Sequence, residues 1–174
     1  IPARISTPIS LTTLVQAAMI AAIYVVLTFI ANAFGLANYA VQVRFSEALT
    51  ILPYFTPAAI PGLFIGCLLS NVLTGCALPD IIFGSLATLL GALGTYALRR
   101  WKWCAPVCPI AANTIIVPLV LIYGYGLMID GMSVLQCFGY YCLTVGAGEI
   151  ISCGILGMIL LLSLQKYQGR IFNR

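Results

Sequence analysis

The run from Ser10 to Ala33 carries no Asp, Glu, Lys or Arg, and this one feature decides what kind of chain it belongs to. About 20 predominantly apolar residues in a helix cross a hydrocarbon core of ~30 Å. The run is that long, and Arg4 precedes it. Ala31-Asn32-Ala33 has the small-residue pattern of a signal-peptidase site, but the apolar stretch far exceeds the roughly 7–15 residues of a signal-peptide core. It is therefore read as a first transmembrane helix. The rest of the chain has the same character: 62% of its 174 residues are hydrophobic and 7% charged, where soluble domains are near half apolar and about a quarter charged. This length admits at most about six or seven spans joined by short loops. The expectation is an all-α integral membrane protein in which residues 1–174 form one transmembrane domain of six helices. No room is left for a soluble domain, so an energy source would be an ion gradient or other subunits.

Punctuation along the chain places the elements. Phe34 to Gln42 reads as a loop, followed by a short helix from about Phe45 to Phe55 and two breaks, at Thr56-Pro57 and Pro61-Gly62. Further spans are expected over Leu63–Leu73, Asp80–Leu98, Pro106–Tyr123, with Pro118 as a kink, and Val134–Leu164. Arg99-Arg100-Trp101-Lys102-Trp103 is a basic cluster bracketed by interfacial aromatics, the signature of a cytoplasmic loop. Six spans then put both termini inside. Arg4, Arg99, Arg100, Lys102, Lys166, Arg170 and Arg174 become cytoplasmic and only Arg44 lies outside. The four acids, Glu47, Asp80, Asp130 and Glu149, fall on the outer side or in the outer membrane half. This loop bias accounts for the net charge of +4 and leaves no case for a nucleic-acid partner. A multi-pass membrane protein in contact with membrane lipid is expected.

Charged groups in apolar segments are costly, about 2.5–3.5 kcal/mol each at a helix centre on insertion scales, and are functional by default. Arg44 and Glu47, three residues apart at the mouth of an apolar run, would share a helix face and neutralise each other while offering a donor fork and an acceptor pair. The alternative is a pair that only seals a helix end, with Ser46 as cap. Asn71, Asp80, Asn113 and Glu149 are the other intramembrane polar groups, with Tyr39, Phe45, Tyr125 and Tyr140 nearby as stacking surfaces. Asn71 and Asn113 would serve equally as interhelical hydrogen-bonding residues and Asp80 as a helix cap; Glu149 is the hardest to explain structurally. Carboxylates, amides and a tyrosine suit a planar heterocycle rich in N–H donors. The candidate binding set is Glu149, Glu47, Arg44, Asn113, Asp80, Asn71 and Tyr39.

No histidine is present, and no HExxH, GxSxG, GxxxxGK[ST] or GxGxxG pattern, so catalysis, a metal and a bound cofactor are not supported. The seven cysteines lie mostly inside apolar runs and read as packing residues. Two overlapping small-xxx-small pairs, Ala17 with Ala21 and Ala18 with Ala22, mark an association face, inside the chain or toward a partner helix. Polar Tyr24, Thr28 and Asn32 continue the same face at helical spacing.

Three segments taken together resemble one family: Arg44-Phe-Ser-Glu47-Ala-Leu-Thr, Thr56-Pro-Ala-Ala-Ile-Pro-Gly-Leu-Phe-Ile-Gly-Cys67, and Asp80-Ile-Ile-Phe-Gly-Ser-Leu-Ala-Thr88. They are similar to the QueT family, membrane proteins of queuosine-precursor uptake, and the resemblance runs from the first helix to Glu149. It implies the six-helix fold of an S component of an energy-coupling factor (ECF) transporter. It also implies a transmembrane scaffold subunit and two cytoplasmic ATPase subunits as partners, and a 7-deazaguanine ligand such as preQ1, preQ0 or queuine. The Ala17/Ala21 and Ala18/Ala22 pairs resemble the helix-one contact by which such proteins dock onto the scaffold. Two other readings remain: a self-sufficient proton-coupled secondary transporter with Glu47 or Glu149 as proton carrier, and an intramembrane assembly subunit that binds no small molecule.

Overall fold

The computed structural model describes residues 10–35 and 43–172. Arg4, Arg174, Tyr39 and most of the Phe34–Gln42 loop lie outside them. Among the described residues every regular element is helical: α1 (Leu11–Ala33), a 3₁₀ helix (Phe45–Tyr54), α2 (Ala59–Leu73), α3 (Leu78–Ala97), α4 (Val107–Leu119), α5 (Val134–Glu149), α6 (Gly157–Gln165) and the short α7 (Gln168–Ile171). Four stretches are long and apolar enough to cross a membrane: Leu11–Ala33, Leu78–Ala97, Lys102–Gly124 and Val134–Gln165. The two other expected spans are shorter, 15 residues in α2 and 10 in the 3₁₀ helix.

The 3₁₀ helix is the axis of the bundle. Runs beyond 3–4 residues are uncommon because the hydrogen-bond geometry is poor, but the rise of ~2.0 Å per residue carries ten residues about 20 Å. Ser46 through Pro53 are all buried, enclosed by α1, α2, α3, α6 and the segment Ile150–Leu156 that follows α5. Irregular backbone at membrane depth is tolerated where protein covers it. The expected helix over Phe45–Phe55 is thus in place, but it is 3₁₀ and not α.

Small residues let the surrounding helices close on this axis. Pro61 does not break the chain, because it falls in the first turn of α2, where the missing N–H has no ladder partner to lose. Gly62 and Gly66 then face α1: a Cβ on Gly62 would lie 2.7 Å from the Ala17 carbonyl oxygen, and one on Gly66 3.0 Å from the Ala21 Cα. Ala17 and Ala21 are consequently buried within the chain, 8% and 7% exposed, so that pair is not available to a partner. Ala18 and Ala22 remain exposed on the outward side of α1.

Two long rods change pitch near their polar residues. Pro118 is followed by a π turn, Val120–Gly124, and Glu149 by a π segment, Ile150–Leu156, that joins α5 to α6. Such turns concentrate at functional sites. The two ends of the bundle differ in character. At one end Phe55 stacks on Phe172, with ring centroids 5.1 Å apart, Thr95 Oγ1 donates to the Ala105 carbonyl at 2.8 Å, and the Arg99–Trp103 cluster links α3 to α4. At the other end lie Asn32, Arg44, the turn between α2 and α3, and the loop after α4. That turn contains Gly75 at φ +74°, a left-handed conformation that glycine adopts without strain.

Candidate ligand-binding site

A cavity of about 330 Å³ opens at the end away from the basic cluster. Its wall is made by Thr28, Ala31 and Asn32 from α1, Arg44 from the start of the 3₁₀ helix, Asn71 and Thr74 around the end of α2, Cys76 and Asp80 at the start of α3, Val117 from α4, and Leu121, Tyr125 and Leu127 beyond it. The polar groups are wired to one another. Arg44 Nη2 donates to Asn71 Oδ1 at 3.3 Å, and Asn71 Nδ2 donates to the Asp80 carbonyl at 3.3 Å. Asn71 therefore makes the interhelical bonds expected of it and also faces the cavity. Asp80 sits in the first turn of α3, where the helix dipole favours a carboxylate. Tyr125 Oη accepts from the Ala77 N–H at 3.1 Å and donates to Asp80 Oδ2 at 3.4 Å, tying the loop after α4 to the head of α3. Burial raises the Tyr125 hydroxyl above the ordinary tyrosine value, so it stays a donor at neutral pH. The Cys76 thiol is raised for the same reason and stays neutral. Gly84 leaves space beside the carboxylate: a Cβ there would lie 3.1 Å from Asp80 Oδ1.

Beneath this wall is a second, buried cluster. Glu47, with no exposed surface, receives the Tyr24 hydroxyl on Oε1 and the Asn113 amide on Oε2, the latter at 3.4 Å. Its carbonyl accepts from Thr50 Oγ1 at 2.6 Å and from Cys153 Sγ at 3.4 Å. The single Cys153 S–H is shared with Glu149 Oε2, the nearer acceptor at 3.1 Å, and Glu149 is 5% exposed. Ligand-type atoms of Glu47, Glu149 and Cys153 lie within 4.8 Å of one another. In metal-ligand terms this is a sulfur and two carboxylates, but here the thiol serves as a hydrogen-bond donor within the cluster. The two layers are stitched together along the 3₁₀ helix by Thr28 Oγ1 donating to Ser46 Oγ at 3.0 Å and by the Arg44 N–H donating to Ser152 Oγ at 3.1 Å.

Of the expected binding residues, Arg44, Asn71 and Asp80 meet at the cavity wall, while Glu47, Asn113 and Glu149 meet below it. Tyr39 lies outside the described residues. The expected Arg44–Glu47 ion pair is not formed, and no salt bridge occurs among the described residues. Arg44 caps the 3₁₀ helix in extended backbone, φ −106° and ψ 104°, so its side chain leaves toward α2 while Glu47 is a turn further in. Tyr140 is exposed, edge-on to Tyr141, and takes no part in the cavity. Thr28 and Asn32 were legible only as a polar stripe on α1, which turns out to line the cavity, with Tyr24 below it. Ser152 joins the site through tertiary packing, for which the local sequence carries no signal, whereas Cys153 lies one helical turn beyond Glu149 on the same flank.

A family model described as QueT transporter matches residues 14–166. The queuosine precursor transporter QueT of Lactococcus lactis subsp. cremoris (strain MG1363) is 34% identical over 90 residues, which is 51% of this chain and 53% of that protein. The match thus spans about half the length of that curated relative. No solved structure matches. With the family model covering nearly all of α1 and every element from the 3₁₀ helix to the end of α6, and with them both layers of the site, this chain belongs to the QueT transporter family.

Proposed function

We propose that this chain is the substrate-binding S component of an ECF-type importer. In this reading it captures a queuosine precursor, a 7-deazaguanine such as preQ1, preQ0 or queuine, from outside the cell. It then delivers the cargo through a scaffold subunit driven by two partner ATPases. Family membership supports a transport role, and the named cargo of the relative supports the ligand class. The observation that carries the reading is the cavity wall, which sets a guanidinium, an amide and a carboxylate side by side. A 7-deazaguanine presents a ring N–H beside an exocyclic amine, and next to them a carbonyl. Asp80 accepts the two donors with charge-assisted hydrogen bonds, and Arg44 donates to the carbonyl. The planar ring then lies under Tyr125, whose loop closes the mouth. Glu47 and Glu149 form the floor. To reach them a ligand displaces the hydrogen bonds of Tyr24, Asn113 and Cys153, so Asp80 ranks ahead of Glu149 as the reader of the donor edge.

The orientation follows the positive-inside rule: the end bearing Arg99, Arg100 and Lys102 faces the cytoplasm, the cavity faces outward, and both termini lie inside. The exposed Ala18 and Ala22 on α1 form the docking face for the scaffold, where small side chains allow close helix approach. Calorimetry of the purified protein against preQ1, queuine, guanine and riboflavin tests the reading. Deazaguanines should bind and riboflavin should not; no binding by any deazaguanine contradicts it.

One observation favours a second reading, proton-coupled secondary transport: two carboxylates, Glu47 and Glu149, share a buried cluster at membrane depth. Uptake that stops when the partner ATPases are inactivated, but survives an uncoupler at constant ATP, supports the S component. The reverse pattern supports the proton-coupled carrier.

A further inference from the structure

A second polar cavity, of about 250 Å³, lies at the opposite end of the bundle, at the end of α3 beside the basic cluster. Its lining includes Gln16 of α1, Thr56 before α2, Tyr96 and Arg99 at the end of α3, and Phe172 after α7. The Arg99 guanidinium is held over the Tyr96 ring, 3.9 Å from its centroid, which fixes a positive charge at the cavity. Thr56 Oγ1 donates to Gln16 Oε1 at 3.1 Å and accepts from the Ala58 N–H at 3.3 Å. With its acceptor engaged in this way, Gln16 offers the cavity its Nε2 donor pair. None of the chain's four acids, Glu47, Asp80, Asp130 and Glu149, is among the lining residues. The site therefore combines a fixed cation with neutral donors, a set that suits a phosphate.

The position of the cavity says where that phosphate comes from. Trp101 and Trp103, 65% and 66% exposed, lie two and four residues beyond Arg99, and tryptophans of this kind sit at headgroup level. Lipid phosphates lie at the same height. Arg100 and Lys102, in the same cluster, favour a headgroup without a compensating amine. We propose that this cavity binds the phosphate of an anionic phospholipid of the leaflet facing the basic loop, with Arg99 as its main contact. Bound there, the lipid braces α1, α3 and the chain after α7 at the end remote from the ligand cavity.

The experiment uses the full chain in phosphatidylcholine nanodiscs into which phosphatidylglycerol is titrated, read by thermal melting and by native mass spectrometry of the released protein. Phosphatidylglycerol should stabilise the protein and remain bound. Arg99→Gln should need about tenfold more of it for half-maximal effect, the loss expected when one charge-assisted contact becomes neutral. Arg100→Gln, a charge of the same loop that is absent from the lining, should lose clearly less than Arg99→Gln. Equal loss in both variants means diffuse attraction to the basic loop and overturns the site. So does equal stabilisation by phosphatidylcholine alone, or by inorganic phosphate at matched concentration, which would make the occupant a free anion.

Discussion

Arg44 Nη2 donates to Asn71 Oδ1 at 3.3 Å, so the cation at the cavity wall is held by an amide and not by the glutamate three residues along the chain. Asn71 in turn donates to the Asp80 carbonyl, which makes it the link between the positive and negative sides of the wall. Replacing it with leucine should leave Arg44 without its acceptor and loosen the head of α3. Hydrogen bonds to charged groups contribute about 1.5–3 kcal/mol, so preQ1 affinity should fall about tenfold or more. Wild-type affinity in Asn71→Leu by calorimetry would remove it from the site.

Glu47 is held as a structural residue. It has no exposed surface, and its two oxygens take the Tyr24 hydroxyl and the Asn113 amide. Glu47→Gln turns an NH₂ toward one of those donors, and a mispaired buried donor costs about 1–3 kcal/mol. The melting temperature without ligand should drop, whereas Glu149→Gln, whose carboxylate takes the weaker donor of the Cys153 thiol, should melt close to wild type. Equal melting of both variants would contradict this division.

The loop after α4 is tied down by Tyr125, through the Ala77 N–H and the Asp80 carboxylate. Ligand should slow hydrogen exchange over Tyr123–Gly131, since closing a loop orders it. Tyr125→Phe should weaken that protection. The hydroxyl's pKa is raised by burial, so its donated bond is present below the ordinary tyrosine range and is lost only as pH rises through the raised value. Its contribution to affinity should be flat around neutral pH. Protection that is identical with and without ligand would make the loop a connector.

On α1 the consequence of burial is asymmetric. Ala17 and Ala21 are occupied by Gly62 and Gly66, so leucine there should damage folding. Ala18→Leu or Ala22→Leu, on the exposed side, should fold and bind ligand but recover less scaffold in a pull-down. Unchanged recovery in both would place the docking face elsewhere.

Much of this architecture is legible in the sequence because membrane spans and their punctuation are. The uncharged run before Ala33 and the run around Pro118 are helical where hydropathy puts them, and Arg44, Asn71 and Asp80, singled out by the cost of burying them, meet at one cavity wall. The sequence is less informative where pitch decides geometry. A short buried segment such as Phe45–Tyr54 has no periodic stripe to separate 3₁₀ from α, because every face is covered. The Arg44–Glu47 pair is absent because the helix begins at Phe45, which leaves Arg44 in extended backbone outside the helical spacing that would face it to Glu47. Cys153 reads as packing from its apolar neighbours, and only the approach of the π segment to Glu47 shows it as a donor.

The most direct test compares Asp80→Asn, Glu149→Gln and wild type by calorimetry with preQ1, each variant first checked for an unchanged melt. Asp80 is on the cavity wall and Glu149 is below it. An asparagine can accept through only one oxygen where the carboxylate accepts through two, so Asp80→Asn should bind about ten- to a hundredfold more weakly, and Glu149→Gln should lose less. Full affinity in Asp80→Asn together with lost binding in Glu149→Gln would contradict the assignment and place the ligand in the buried cluster instead.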